Sequence, residues 1–202
     1  MIRGYRKWIA GALGAAALTV PSAAAAAQPV TVVPGCEKGC DVAFSQQLPG
    51  GKRVEGLSTG TYSVLALWRG NTLLDHVQVH GRDGYRYEFV QSATCSSTRC
   101  SVGYVYGAHS GAVASVAVSD RLTVTDTVEG ASTGTVTRDL NGDGQPDAAV
   151  QQSTFVPNFA QAPQYWETYV EHNGKFARTG CTADNAPAPV RLATGHCTGP
   201  VA

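Results

Sequence analysis

The residues best suited to chemistry lie in one short stretch, Asp139-Leu140-Asn141-Gly142-Asp143-Gly144-Gln145-Pro146-Asp147. Oxygen-bearing side chains occupy its first, third, fifth and ninth positions. Glycines at the fourth and sixth positions allow the backbone to curl tightly. Calcium is a hard cation that takes about six to eight oxygen ligands. The spacing therefore predicts a loop that binds one structural Ca²⁺ ion.

The expected ligands are the side chains of Asp139, Asn141, Asp143 and Asp147 and the backbone carbonyl of Gln145. Water would complete the shell. Three carboxylates within so short a segment repel one another when no cation is present, a cost that an ordinary turn does not carry. The alternative is a surface turn rich in Asp, Asn and Gly that binds no metal.

The residues around this loop exclude one calcium motif and resemble another. A helix-loop-helix calcium site needs a glutamate at the twelfth position, which is Val150 here, and both flanks predict strands. The carboxylate of Asp147, followed by two alanines and a valine, resembles the β-hairpin calcium loops of FG-GAP and VCBS-type repeats. The resemblance covers residues 135–178 and includes the later Asn173-Gly174 turn. It implies a calcium ion held between two strands.

Only one such loop occurs in the chain. The repeat families form propellers of about six or seven four-stranded blades, which need far more residues than this chain has. We therefore expect a compact assembly of antiparallel sheets in a single domain rather than a complete propeller.

The N-terminal segment predicts export. Basic residues at Arg3, Arg6 and Lys7 precede an apolar run over residues 9–20, and alanines at 23–27 offer a cleavage site before Gln28. This three-part pattern is typical of a secretory signal peptide over residues 1–27. The apolar run is short for a membrane span, so we expect a secreted protein with no membrane span after cleavage. A membrane anchor is the alternative.

All six cysteines follow this segment. Disulfides are the default in an oxidising compartment. Sequence alone cannot choose among the possible pairings, but local spacing favours Cys36–Cys40, Cys95–Cys100 and Cys181–Cys197. Zinc is the less favoured alternative because no Cys-x-x-Cys pair is present.

Charge excludes one class of partner. Without its three basic residues in the signal segment, the chain has 12 Lys and Arg against 15 Asp and Glu. This mildly acidic balance gives no basic patch for nucleic acid.

Hydrophobic periodicity predicts an all-β protein. Alternating apolar and polar residues, separated by short turns containing glycine, indicate antiparallel strands and hairpins. We expect an irregular N-terminal arm over residues 28–60 with room for one edge strand at 42–48, the β domain over 61–178 and an irregular tail over 179–202 pinned by Cys181–Cys197.

The remaining candidate groups give no coherent catalytic set. Glu167 and Glu171 share a strand face but lie about 13 Å apart, too far for paired acid–base work, and are expected on an exposed face. Tyr85, Tyr87 and Phe89 are expected to share a buried face. His196 lies too near the C-terminus to be the histidine of a trypsin-like triad.

Two functional classes are compatible with these residues. The first is a noncatalytic extracellular module that binds cell-wall glycan or another extracellular protein. The second is a secreted hydrolase whose active site has no recognisable signature. The absence of a coherent nucleophile–base pair in the sequence favours the first class.

Overall fold

The computed structural model describes residues 32–81 and 83–197. The predicted signal peptide lies outside the described residues. The described chain is all-β, as predicted, and the only helical element in it is a single 3₁₀ turn, Pro49–Gly51. No helix in the described part of the chain has the length and apolar character to span a membrane.

The strands form three four-stranded antiparallel sheets, none of them closed into a barrel or a propeller. The first sheet contains β1 (Asp41–Leu48), β2 (Lys52–Ser58), β3 (Ser63–Arg69) and β4 (Thr72–Val77). The second contains β5 (Phe89–Cys95), β6 (Arg99–Tyr106), β7 (Ser110–Val118) and β8 (Leu122–Gly130). The third contains β9 (Thr135–Arg138), β10 (Asp147–Ser153), β11 (Gln164–His172) and β12 (Lys175–Cys181). Each sheet is a meander in which sequential strands are neighbours.

The second sheet lies between the other two. Strand β7 is buried along almost its whole length, because successive side chains of a strand point to opposite faces and both faces are covered here. Ala114 and Val116 pack in one core with Leu65 of the first sheet. Val113 packs in a second core with Val150 of the third sheet. A continuous apolar run is what a strand covered on both faces requires.

The outer face of each outer sheet is covered by an irregular terminal segment. Val33, Cys36 and Cys40 lie over Val64 in the first sheet. Leu192 lies over Trp166 and its neighbours in the third sheet. The disulfides Cys36–Cys40 and Cys181–Cys197 are formed in these two segments, and Cys95–Cys100 joins the ends of β5 and β6. All three are the local pairs expected from the spacing, and they fit an oxidising or extracellular environment.

The predicted irregular arm over residues 28–60 contains the edge strand expected at 42–48, but it is wrong for the residues that follow, which form a second strand. Residues 41–58 form the hairpin of β1 and β2, with Leu48 opposite Lys52. The Pro49-Gly50-Gly51 segment does not interrupt an irregular arm but forms the 3₁₀ turn that closes this hairpin. At the other end of the chain, β12 extends to Cys181, so the irregular tail begins later than residue 179.

The expected buried aromatic face of residues 85–89 is also corrected. Tyr87 is fully buried, whereas Tyr85 and Phe89 are 49% and 42% exposed. Residue 86 pairs with His80 outside any named strand, and β5 begins only at Phe89. The alternation is therefore not continued along one strand, and a single residue of the three enters the core.

Tyr104 offers a first test of the core. Its side chain is fully buried, its ring lies 5.1 Å from that of Tyr87, and its hydroxyl has no hydrogen-bond partner among the described residues. Burial raises the pKa of Tyr104 well above its usual value. Because an unpaired buried hydroxyl costs free energy, Tyr104→Phe should leave the free energy of unfolding unchanged or raise it by up to about 2 kcal/mol.

Tyr87→Phe is the matched control. The Tyr87 hydroxyl donates to the Glu129 carboxylate at 2.8 Å, so its removal should cost about 1.5 to 3 kcal/mol. Urea denaturation followed by circular dichroism measures both variants. A clear loss of stability in Tyr104→Phe would mean that the hydroxyl has a buried partner and would contradict the prediction.

Candidate metal centre

The aspartate-rich loop closes the hairpin of β9 and β10. Arg138 at the end of β9 pairs with Asp147 at the start of β10. The loop of residues 139–146 therefore begins and ends at the same edge of the third sheet. Strands on both sides agree with the expectation drawn from the sequence.

Asp139 organises the first half of the loop. Its Oδ1 accepts the backbone N–H groups of Asn141 and Gly142 at 3.2 and 2.6 Å, and its Oδ2 accepts that of Gly144 at 2.8 Å. Gly142 and Gly144 have φ values of 84° and 81°, in the left-handed region that favours glycine. The backbone can therefore wrap around the carboxylate. The bonds from Gly144 and Gly142, in that order, hold the pKa of Asp139 below its usual value.

The side chains of Asn141 and Asp143 also accept hydrogen bonds from the loop backbone. The Asn141 Oδ1 accepts the N–H of Asp143 at 2.9 Å, and the Asp143 Oδ1 accepts the N–H of Gln145 at 2.8 Å. The Asn141 amide also donates to the Asp143 Oδ2 at 3.0 Å. Successive polar side chains thus bond to the backbone two residues ahead, a pattern that builds turns from Asx residues.

Asp147 differs from the other two aspartates because its side chain is fully buried. Its Oδ2 accepts the N–H of Leu140, and its Oδ1 accepts that of Glu171, both at 2.9 Å. Burial raises the pKa of Asp147, and the nearby carboxylates of Asp143 and Asp139 add to the rise. The carboxylates of Asp143 and Asp139 therefore disfavour the charge of the buried Asp147.

The loop is also bonded to the rest of the fold. The Ser101 hydroxyl in β6 donates to the carbonyl of Pro146 at 2.6 Å, and that of Ser96 donates to the Gln145 side chain at 3.0 Å. The N–H of Leu192, in the tail, donates to the carbonyl of Leu140 at 3.2 Å. The loop thus joins the central sheet and the tail to the third sheet.

The donor set fits calcium in its chemistry. Carboxylate, amide and carbonyl oxygens are the ligands that a hard cation prefers. Within the described ranges, the only three His, Cys, Asp or Glu side chains whose ligand atoms all lie within 4.8 Å of one another are Glu167, Cys181 and Cys197. Both cysteines form a disulfide and cannot bind a metal as thiolates. The loop carboxylates are spread more widely, so metal binding would have to draw them together.

A second polar cluster lies between the second and third sheets, and the sequence did not reveal it. Glu167, expected on an exposed face, is only 1% exposed. Its Oε1 lies 3.2 Å from Nη1 of Arg178, and its Oε2 accepts bonds from the Gln152 amide at 3.0 Å and the Tyr169 hydroxyl at 2.6 Å. Gln152 also donates to the backbone carbonyl of Glu129 in β8. The cluster therefore bonds the two sheets together.

Glu171 is buried as well, which corrects the same expectation. Its carboxylate accepts the N–H of Gly174 in the β11–β12 turn and lies 3.3 Å from Nε of Arg99 in β6. A sequence signal exists for part of this arrangement. The Asn173-Gly174 hairpin places β12 beside β11, which brings Arg178 opposite Tyr169 and close to Glu167. The β5–β8 sheet covers the face of β11 that carries Glu167 and Glu171. The residues around these two glutamates do not indicate that another sheet packs there, so their burial cannot be predicted from the local sequence.

The fold and the site together define a disulfide-bonded, all-β protein with an aspartate-rich loop between two antiparallel strands. Comparisons with protein-family models, with curated proteins and with solved structures find no match to the chain.

Proposed function

We propose that this chain is a secreted, noncatalytic extracellular module in which one structural Ca²⁺ ion is bound at the β9–β10 loop. The ligands would be Asp139, Asn141, Asp143 and Asp147 through their side chains and Gln145 through its carbonyl. A bound ion would supply positive charge among these oxygens and would offset the repulsion between the carboxylates.

One observation carries the proposal. Asp147 is a fully buried carboxylate with two further aspartates close enough to raise its pKa. Burying a charge is costly unless a counter-charge accompanies it. Asp147 forms no ion pair with a basic side chain among the described residues, so the loop has negative charge to be neutralised. The resemblance of the loop to the FG-GAP and VCBS-type hairpins supports the same ion.

The surrounding structure supports a role in stabilising the fold. The loop bonds to the central sheet and to the tail, so an ion there would hold these parts in place. The partner of such a module would be cell-wall glycan or another extracellular protein. Three disulfides are consistent with export to the same environment.

Isothermal titration calorimetry with CaCl₂ tests the proposal. We expect one ion per chain with a dissociation constant on the order of 10⁻⁴ to 10⁻³ M, the range of extracellular modules. Asp143→Ala removes an exposed carboxylate of the loop and should abolish the binding isotherm.

Asp41→Ala is the matched control, since it removes an exposed aspartate from β1 and should leave calcium binding unchanged. MgCl₂ should bind more weakly because magnesium gives up its water reluctantly. No heat of binding in the wild-type protein, or equal loss in both variants, would exclude a calcium site at this loop.

A further inference from the structure

A cavity of about 340 Å³ lies between the end of β12 and the C-terminal segment. Arg178, Thr179 and Gly180 form one wall, and residues 194–197 form the other. The N–H of Cys181 donates to the carbonyl of Gly195 at 2.9 Å, and the Cys181–Cys197 disulfide fixes the same segment. The cavity is therefore built by two parts of the chain that are bonded to each other, and it shares no residue with the aspartate-rich loop.

The polar groups of this cavity are suited to a negative ligand. Its lining contains a guanidinium, an imidazole and two hydroxyls, and no carboxylate. The Thr179 hydroxyl is engaged with Thr168. The Thr194 hydroxyl and the His196 ring have no hydrogen-bond partner among the described residues, and both residues are exposed. Three groups are thus left to bind a ligand: Arg178, Thr194 and His196.

A buried carboxylate holds Arg178 in place but occupies only part of its hydrogen-bonding capacity. Its Nη1 lies 3.2 Å from Glu167, which is the only ion-pair partner of its guanidinium among the described residues. A guanidinium carries five N–H donors in a planar fork, so most of them remain. Glu167 also accepts bonds from Gln152 and Tyr169, which stabilise its charge independently of the arginine. The Arg178 side chain is 30% exposed, whereas that of Glu167 is 1% exposed.

We propose that this cavity binds a sulfate or phosphate group. Arg178 would donate two parallel N–H bonds to two of its oxygens, the geometry in which arginine recognises oxyanions best. Thr194 and His196 would donate to the remaining oxygens. The group is either a free inorganic ion or a substituent of a sugar. The site is independent of the proposed calcium function.

NMR titration of the ¹⁵N-labelled protein in calcium-containing buffer tests the proposal. Sodium sulfate is the probe, because phosphate would precipitate with calcium, and sodium chloride at equal ionic strength is the reference. We expect saturable shifts confined to residues 178–180 and 194–197, with a dissociation constant on the order of 1 mM. Shifts that do not saturate, or that chloride reproduces, would overturn the proposal.

Variants assign the binding to these side chains. Arg178→Lys keeps the charge but loses the planar fork and should weaken sulfate binding about tenfold. His196→Ala changes only an exposed residue of the tail and should weaken binding several-fold. Arg191→Ala is the control, since it removes an exposed positive charge from the same segment outside this cavity and should leave the affinity unchanged. Equal weakening by Arg191→Ala would indicate general charge attraction and would refute the site.

Two further measurements complete the test. If Arg178→Lys lowers the melting temperature, the result for His196→Ala decides, because the His196 side chain is exposed and has no hydrogen-bond partner among the described residues. Titration with galactose 6-sulfate, with unsulfated galactose as reference, identifies the source of the group. Tighter binding of the sulfated sugar than of sulfate supports a glycan substituent, and equal affinity supports a free ion. Failure of both to bind would contradict the proposal while leaving the calcium site unaffected.

Discussion

Replacing Glu167 by alanine is expected to lower the free energy of unfolding by about 3 to 5 kcal/mol. The substitution removes the acceptor of three donors, from Arg178, Gln152 and Tyr169, at a position that is 1% exposed. The Gln152 amide and the Tyr169 hydroxyl would lose this acceptor in the interface between the second and third sheets, the partly exposed Arg178 would lose its ion pair, and a small cavity would be added. Urea denaturation gives the free energy directly.

The matched control is Asp120→Ala on the surface of the protein. Asp120 forms shorter ion pairs than Glu167 does, at 2.7 Å to Arg69 and 2.9 Å to Lys52. Its side chain is 68% exposed, so water screens these pairs and its removal should change stability far less. The comparison therefore separates burial from distance as the cause of the effect.

Glu167→Gln refines the result. Glutamine keeps the shape and an acceptor oxygen but loses the charge, so it should cost less than alanine does. If Glu167→Ala is no more destabilising than Asp120→Ala, the cluster would contribute no more than a solvated surface pair, and its proposed part in joining the two sheets would be wrong.

Features that depend on nearby residues could be predicted from the sequence. The Asn173-Gly174 turn joins β11 to β12 because Asn173 and Gly174 adopt φ values of 50° and 85°, which these two residue types accept readily. The three disulfides join cysteines that are close in the chain. The aspartate-rich loop lies between two strands, as its flanking residues indicated. In each case a few adjacent residues determine the conformation.

Features that depend on distant residues could not be predicted. The expectation of an exposed face for Glu167 and Glu171 rests on the tendency of charged strand residues to face water. Their burial results from the β5–β8 sheet, whose Arg99 pairs with Glu171 across the interface. No short stretch of sequence indicates the order in which the three sheets stack. The packing of the β5–β8 sheet over Glu167 and Glu171, and the cavity beside Arg178, therefore could not be predicted. The exposure of Tyr85 and Phe89 could not be predicted either, because the alternating pattern of residues 85–89 does not show that β5 begins only at Phe89.

Calcium at about one hundred times its dissociation constant is expected to stabilise the folded protein by about 2.7 kcal/mol. For a chain of this size, the melting temperature should rise by roughly 5 to 10 °C. The effect should involve the whole fold, because the loop bonds to β6 through Ser101 and to the tail through Leu192. Ordering the loop therefore supports both interfaces of the third sheet. Differential scanning calorimetry in calcium and in EGTA measures the increment.

The Asp143→Ala variant should lose this increment. Asp143 is exposed, and among the described residues its carboxylate bonds only within the loop, so the variant should melt close to the wild-type protein in EGTA. The difference between the two proteins would then appear only with calcium, which separates loss of a ligand from loss of packing. Asp120→Ala should keep the full increment because Asp120 lies outside the loop. If EGTA leaves the wild-type melting temperature unchanged, the loop is an aspartate-rich turn that binds no calcium, and the proposed ion is wrong.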